Sequence, residues 1–203
     1  MHGVRQAHRR DLVVPPNIAP LNFRIEEPGE LFLVRVRVRS RPGAEVEILS
    51  RSRDVEIPLD AWRRLLTENR GNALSIDVYA RTGEGTWRRY EPLTNKIAEE
   101  EIDSHIAYRR LKPDALYYRN IGIYQRDLET FEESAVLDGR WFGDGCVNCH
   151  AFGQGDPAQL SLHFRGGYGD AALFVQDGRV HTLDTRLGHA AWHPSSKVVA
   201  FSH

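Results

Sequence analysis

From Leu33 onward the chain alternates apolar residues with arginine: Leu33-Val34-Arg35-Val36-Arg37-Val38-Arg39. A period of two buries one face of a strand and wets the other, so residues 31–39 are predicted to be a half-exposed strand, with the arginine row solvated. Val46–Leu49 and Val55–Leu59 read as shorter strands, and Leu74–Ala80 alternates cleanly. Between them, Asp60 is placed to cap a short helix carrying Trp62, Leu65 and Leu66 and ending near Asn69-Arg70-Gly71. Gly83-Glu84-Gly85 turns the chain into Thr86–Tyr90. Short strands with such turns predict an antiparallel β-sandwich over residues 21–95, preceded by an extended, proline-rich tail over 1–20.

Residues 96–143 read as a connecting segment. Ile97–Ile102 is acidic and predicted helical, and Ile106–Leu111 and Ile121–Arg126 are predicted strands. Tyr108, Tyr117, Tyr118 and Tyr124 read as core. Residues 144–166 show little regular patterning beyond a short helix expected at Asp156–Leu160, with Asp as cap and Pro at the first position. In 167–203, Ala172–Val175 and Val180–Leu183 flank Gln176-Asp177-Gly178-Arg179, a hairpin signal, and Val198–Ser202 forms a last strand. The expected fold class is mainly β. That last strand is followed by a single residue, which suggests a piece of a longer protein. The arginines near the start have no apolar run after them, so no export leader is read.

Composition narrows the function. With 27 Lys+Arg against 28 Asp+Glu, there is no broad cationic field for non-specific nucleic-acid binding. No apolar run approaches the roughly 18 residues of a membrane-spanning helix. No triad order, phosphate loop or paired-carboxylate signal supports a hydrolase.

The chain has two cysteines, three apart, with a histidine directly after: Cys146-Val147-Asn148-Cys149-His150. This is C-x-x-C-H, the attachment signature of a c-type haem. Two thiols at this spacing reach the two vinyl groups on one porphyrin edge, and the next residue brings an imidazole to the iron, so His150 is the expected axial ligand. Gly143 and Gly145 permit the close chain approach required. Zinc is an alternative: Cys146, Cys149 and His163 supply three ligands, but positions 167–169 are Gly, Tyr and Gly where a fourth is due. A disulfide or free dithiol is another, although no βαβ pattern surrounds the motif.

The single methionine is Met1, so Met is not the expected sixth ligand. His163, thirteen positions past His150, is the leading candidate, with His105, His189 and His193 behind it; His2, His8 and His203 lie at the termini. Arg165 is placed to meet a haem propionate. Two imidazoles would give a lower reduction potential than a His/Met pair, because Met raises it.

Four segments, in order, resemble a family of bacterial proteins: 16–23 (Pro-Asn-Ile-Ala-Pro-Leu-Asn-Phe), 121–126 (Ile-Gly-Ile-Tyr-Gln-Arg), 146–152 (Cys-Val-Asn-Cys-His-Ala-Phe) and 163–166 (His-Phe-Arg-Gly). These are the TolB-like, or WD40-like (PD40), β-propeller proteins that carry one C-x-x-C-H before the propeller. Residues 191–202, with Trp192, His193 and Pro194 leading into a turn, are similar to that family's blade repeat, although Ser196 stands where the repeat usually has Gly. The resemblance implies covalent haem c, a periplasmic or exported location and the start of a propeller-like sheet. The expected function is an electron-carrying module, served by the c-type haem maturation machinery and a redox partner protein. Two alternatives stand beside it: a sandwich and propeller scaffold binding a protein or glycan with a structural Cys pair, and a haem enzyme or small-ligand sensor with an open iron site.

Overall fold

The structure, a computed structural model, describes residues 11–41, 43, 45–83, 85–111, 121–166, 169–185, 188–195 and 197–202. Tyr117, Tyr118, Glu84, Ser196 and the terminal His2, His8 and His203, all singled out in the sequence, lie outside these residues. The protein is mainly β, as expected, with one α-helix among the described residues. It divides into two compact units, 1–105 with 127–132, and 106–126 with 133–203.

In the first unit, β1 (Val13–Val14), β2 (Phe23–Arg24), β3 (Leu31–Val38), β4 (Glu45–Ser50) and β5 (Asp54–Val55) precede α1 (Leu59–Thr67). β6 (Ala73–Arg81), β7 (Trp87–Arg89) and β8 (Leu93–Ile97) follow. The main sheet runs β1-β8-β6-β3-β4, with β7 also on β6; β2 and β5 pair separately. The alternation in β3 works as predicted: Phe32, Val34, Val36 and Val38 are buried. α1 contributes Trp62, Leu65 and Leu66 to the same core, and the Trp62 indole donates to the Ile18 carbonyl at 2.9 Å.

Two local expectations are corrected here. Pro58, not Asp60, occupies the helix N-cap, and Asp60 lies in the first turn, where its charge favours the helix dipole. Residues 97–102 are not helical. Leu93, Asn95 and Ile97 are buried on alternate positions, so the period of two extends through Ile97 and the acidic run after it leaves regular structure. The stretch before the predicted sandwich also takes part: β1 runs parallel to β8, Val13 opposite Lys96.

In the second unit, β9 (His105–Leu111), β10 (Ile121–Asp127) and β11 (Glu133–Asp138) form a three-stranded sheet in the order β11-β10-β9; the first residue of β9 and the last of β10 belong to the first unit. A 3-10 turn (Gly139–Phe142) leads into β12 (Cys146–Gly153), β13 (Asp156–Arg165), β14 (Ala171–Gln176) and β15 (Arg179–Leu183), which pair in sequence order. β16 (Ala190–Trp192) and β17 (Val199–Phe201) form a hairpin. Ile123, Val147, Leu160 and Leu162 make the buried core of this unit.

The haem segment, expected to have little regular structure, is therefore two paired strands, and the helix expected at Asp156–Leu160 is the start of β13. Gln154 and Gly155 both have positive φ, 53° and 76°, and link Gly153 directly to Asp156. This is the two-residue turn that matches strand twist, so Asp156 opens a strand and its carboxylate accepts from the Ala158 amide at 2.9 Å.

Candidate functional site

The C-x-x-C-H motif lies on β12, at the edge of its four-stranded sheet. The chain enters through Gly143 and Asp144, at φ 65° and 56°. Gly145 follows; a Cβ there would meet the Phe142 carbonyl oxygen at 3.0 Å and that of Arg165 at 3.3 Å. A side chain here would press on both carbonyls, so glycine eases the approach that sets Cys146 directly opposite Arg165.

The ladder then pairs Val147 with Phe164 and Asn148 with His163, and resumes with Ala151 opposite Ser161. Cys149 and His150 thus stand against Leu162 alone, a one-residue bulge. Cys149 is its left-handed residue, at φ 55°. Directly opposed residues share a face. Val147 turns into the core, while Cys146, Asn148, His163 and Arg165 line the other side.

Asn148 holds the bulge in place. Its Oδ1 accepts from the Cys149 amide at 2.8 Å and from Arg109 Nη1 at 2.7 Å. The Asn148 side chain thereby ties β9 to the motif. Neither Asn148 nor Arg109 was singled out from the sequence. Arg109 sits in a predicted strand, but nothing in its own neighbourhood indicates which strand it would face.

Both thiols are free and half-buried. Burial pushes the Cys146 thiol up from its ordinary range, opposed by the charges of Arg165 and Arg109. His150 is pulled below the ordinary imidazole value by burial and by Arg109, against a hydrogen bond to the Ala107 backbone. His163 is pulled down by burial and by Arg165. Both imidazoles therefore favour the neutral form, which is the form that ligates a metal.

His163 is 4% exposed, and neither of its ring nitrogens has a hydrogen-bond partner among the described residues. Buried polar groups are nearly always paired, because an unpaired one forfeits its hydration. Two residues away on the same strand, Ser161 accepts at Oγ from the Trp192 indole at 3.1 Å; the same indole donates to the Ala151 carbonyl. The other sixth-ligand candidates differ from His163. His105 is exposed and shares a hydrogen bond with Ser104, exposed His193 is bonded to Ser195, and His189 lies in the turn before β16.

Comparison with family models, with curated proteins and with solved structures finds no match.

The donor set can be tested against each group. Among the described residues no three His, Cys, Asp or Glu side chains gather into a cluster that could hold a metal ion, so Cys146, Cys149 and His163 do not form a zinc-type cage here. Haem asks for less. It needs two free thiols on an accessible strand, a neutral imidazole beside them, a second imidazole without a partner, and cations for two carboxylates. Cys146 and Cys149, His150 and His163 meet the first three requirements in kind, and Arg165 is the cation expected for a carboxylate. No described helix is long and apolar enough to cross a membrane.

Proposed function

We propose that the chain is a c-type cytochrome module that carries electrons, with one haem tethered through Cys146 and Cys149 and ligated by His150 and His163. The observation that carries this reading is the unpartnered, buried imidazole of His163, opposite Asn148, the residue just before the second cysteine. Haem bound there supplies a one-electron iron couple, at a lower potential than His/Met ligation gives.

The chain's own residues do the positioning. Asn148 fixes the amide of Cys149 and so the direction of the second thiol. Arg165, at the exposed end of β13, is the residue proposed to meet a haem carboxylate. Burial keeps His150 and His163 unprotonated and available as ligands.

The fold reading goes with this. β12 to β15 form a four-stranded antiparallel meander, a strand order that propeller blades use, with the motif on its first strand and not ahead of it; β16–β17 would begin another. Together with the motif, this supports membership of the TolB-like, PD40 group and an exported location. The helix-backed sheet of the first unit takes the place of the sandwich in that scheme.

The test is expression with a c-type maturation system. A mass gain of one haem that survives acid–acetone extraction, with a Soret band, is expected; both vanish in Cys146→Ala/Cys149→Ala. A matured preparation that is colourless, or holds zinc or an S–S bond, overturns the reading.

A further inference from the structure

The main sheet of the first unit has a second face, away from α1, and it is not simply solvated. Arg37, Arg39 and Arg89 converge on one carboxylate, that of Asp77. Asp77 is 0% exposed, yet it lies on the outward side of β6, opposite Arg35 on β3. Its Oδ1 accepts from Arg89 at 2.7 Å and Arg39 at 3.3 Å; its Oδ2 accepts from Arg37 at 3.0 Å and from Ser75. A carboxylate has about four lone-pair sites, so Asp77 is saturated. One negative charge fixes three guanidinium groups and leaves two positive charges in excess at that spot. Glu45 and Glu47 on β4 are both bonded to Arg35, the fourth arginine of the face.

Next to this trio the face turns apolar. Leu49, Leu33 and Tyr79 form one row across β4, β3 and β6, continued by Arg89 on β7. Leu49 is 64% exposed, and Trp87, one row along, is 41% exposed. Tyr79 carries Arg35 and Arg89 over its ring, each at 5.9 Å, and Trp87 carries Arg81 at 5.6 Å. Guanidinium groups held on aromatic rings and on a buried carboxylate lose little freedom when they bind. Exposed Arg, Tyr and Trp around an apolar patch are the composition of a protein-binding surface.

We infer that this face docks an acidic protein segment, whose carboxylates meet Arg37, Arg39 and Arg89 while its apolar side chains lie on Leu33, Leu49 and Trp87. The excess positive charge selects the acidic partner, and the adjoining apolar row selects a polypeptide over a bare anion. The inference rests on the first unit alone and stands or falls independently of haem.

The probe is a short synthetic peptide alternating Glu with Val, titrated into the full chain by calorimetry and by amide chemical shifts. Binding is expected with shifts at Leu33, Leu49, Tyr79 and Trp87, and is lost at about 1 M salt, where charges are screened beyond about 3 Å. Arg39→Gln is expected to weaken it several-fold. Leu49→Glu, at an exposed position that leaves the core untouched, is expected to weaken it about tenfold, a loss of about 1.4 kcal/mol. Unchanged melting of both variants shows that each is folded. The inference is overturned if Leu49→Glu binds as well as the parent, if a Lys/Val peptide binds equally, or if inorganic phosphate displaces the peptide at comparable concentration.

Discussion

Asn148 lies directly across the β12–β13 ladder from His163, so the residue just before the second cysteine and the unpartnered imidazole share one face of the sheet. Strand pairing thereby fixes His163 beside Asn148, while His150 stands in the bulge against Leu162. Replacing His163 by Leu separates its two roles. In the haem-free chain the change removes a buried, unpaired polar ring, whose cost is about 1–3 kcal/mol, so the variant should resist urea better by about 1 kcal/mol. In the haem-loaded chain the same change should let the ferrous form bind carbon monoxide, which the parent does not. A parent that binds carbon monoxide readily removes His163 from the ligand set.

The Asn148 side chain is expected to stabilise the bulge by about 1–2 kcal/mol, because its Oδ1 satisfies two donors at once. Asn148→Ala should lower the urea midpoint accordingly and reduce the fraction of chains that acquire haem. Asn148→Asp keeps the acceptor beside Arg109 and should restore most of the stability. Equal midpoints for the Ala variant and the parent would show that the bulge does not depend on it.

The two depressed histidines set a pH dependence. Their unfolded value is near 6.5, and the folded value of each lies lower. Below 6.5 the unfolded chain therefore binds more protons than the folded one. The contribution of these groups is complete above pH 6.5 and is lost as the pH falls through the folded values. Haem-free protein should lose stability on acidification from about pH 7 to pH 5, with a shallower slope in His163→Leu, as followed by urea titration at each pH.

Asp77 should be a costly position. Its burial pushes the carboxyl up, but hydrogen bonds from Arg89 and Arg37 outweigh this and hold it below the ordinary range. Asp77→Ala leaves the three partly exposed arginines facing one another and is expected to destabilise the chain by about 1–2 kcal/mol. Adding Arg39→Gln to that variant should cost nothing further, because the repulsion it removes replaces the pair it would have broken; a double-mutant cycle measures this.

Strands with a clean period of two were legible in the sequence. Leu33–Val38 and Leu74–Ala80 became β3 and β6 nearly residue for residue, because each alternates apolar side chains toward α1 with mostly polar ones on the other face. The acidic helix after Ile97 and the short helix at Asp156 failed for different reasons. The first gave way to partners distant in sequence, the Ile97 amide donating to the Asn72 carbonyl and the Ala98 amide to that of Val14; the second gave way to the tight Gln154-Gly155 turn, which pairs Asp156 with Gly153. At the candidate site, the chemistry of Cys146, Cys149 and His150 could be read from their spacing. His163 was reached by elimination among the histidines. Arg109 and Asn148 could not be reached, since their roles depend on β9 and β12 meeting, which no local pattern records. The buried state of Asp77 was hidden for the same reason: it depends on arginines from two other strands.

The indole of Trp192 latches the β16–β17 hairpin to Ala151 and Ser161, and Phe174 meets it edge-on. This makes the hairpin a door whose bolt is a single side chain. Exchange of the Trp192 indole proton, which is held by Ala151 and Ser161, would therefore report how often the hairpin lets go of the sheet.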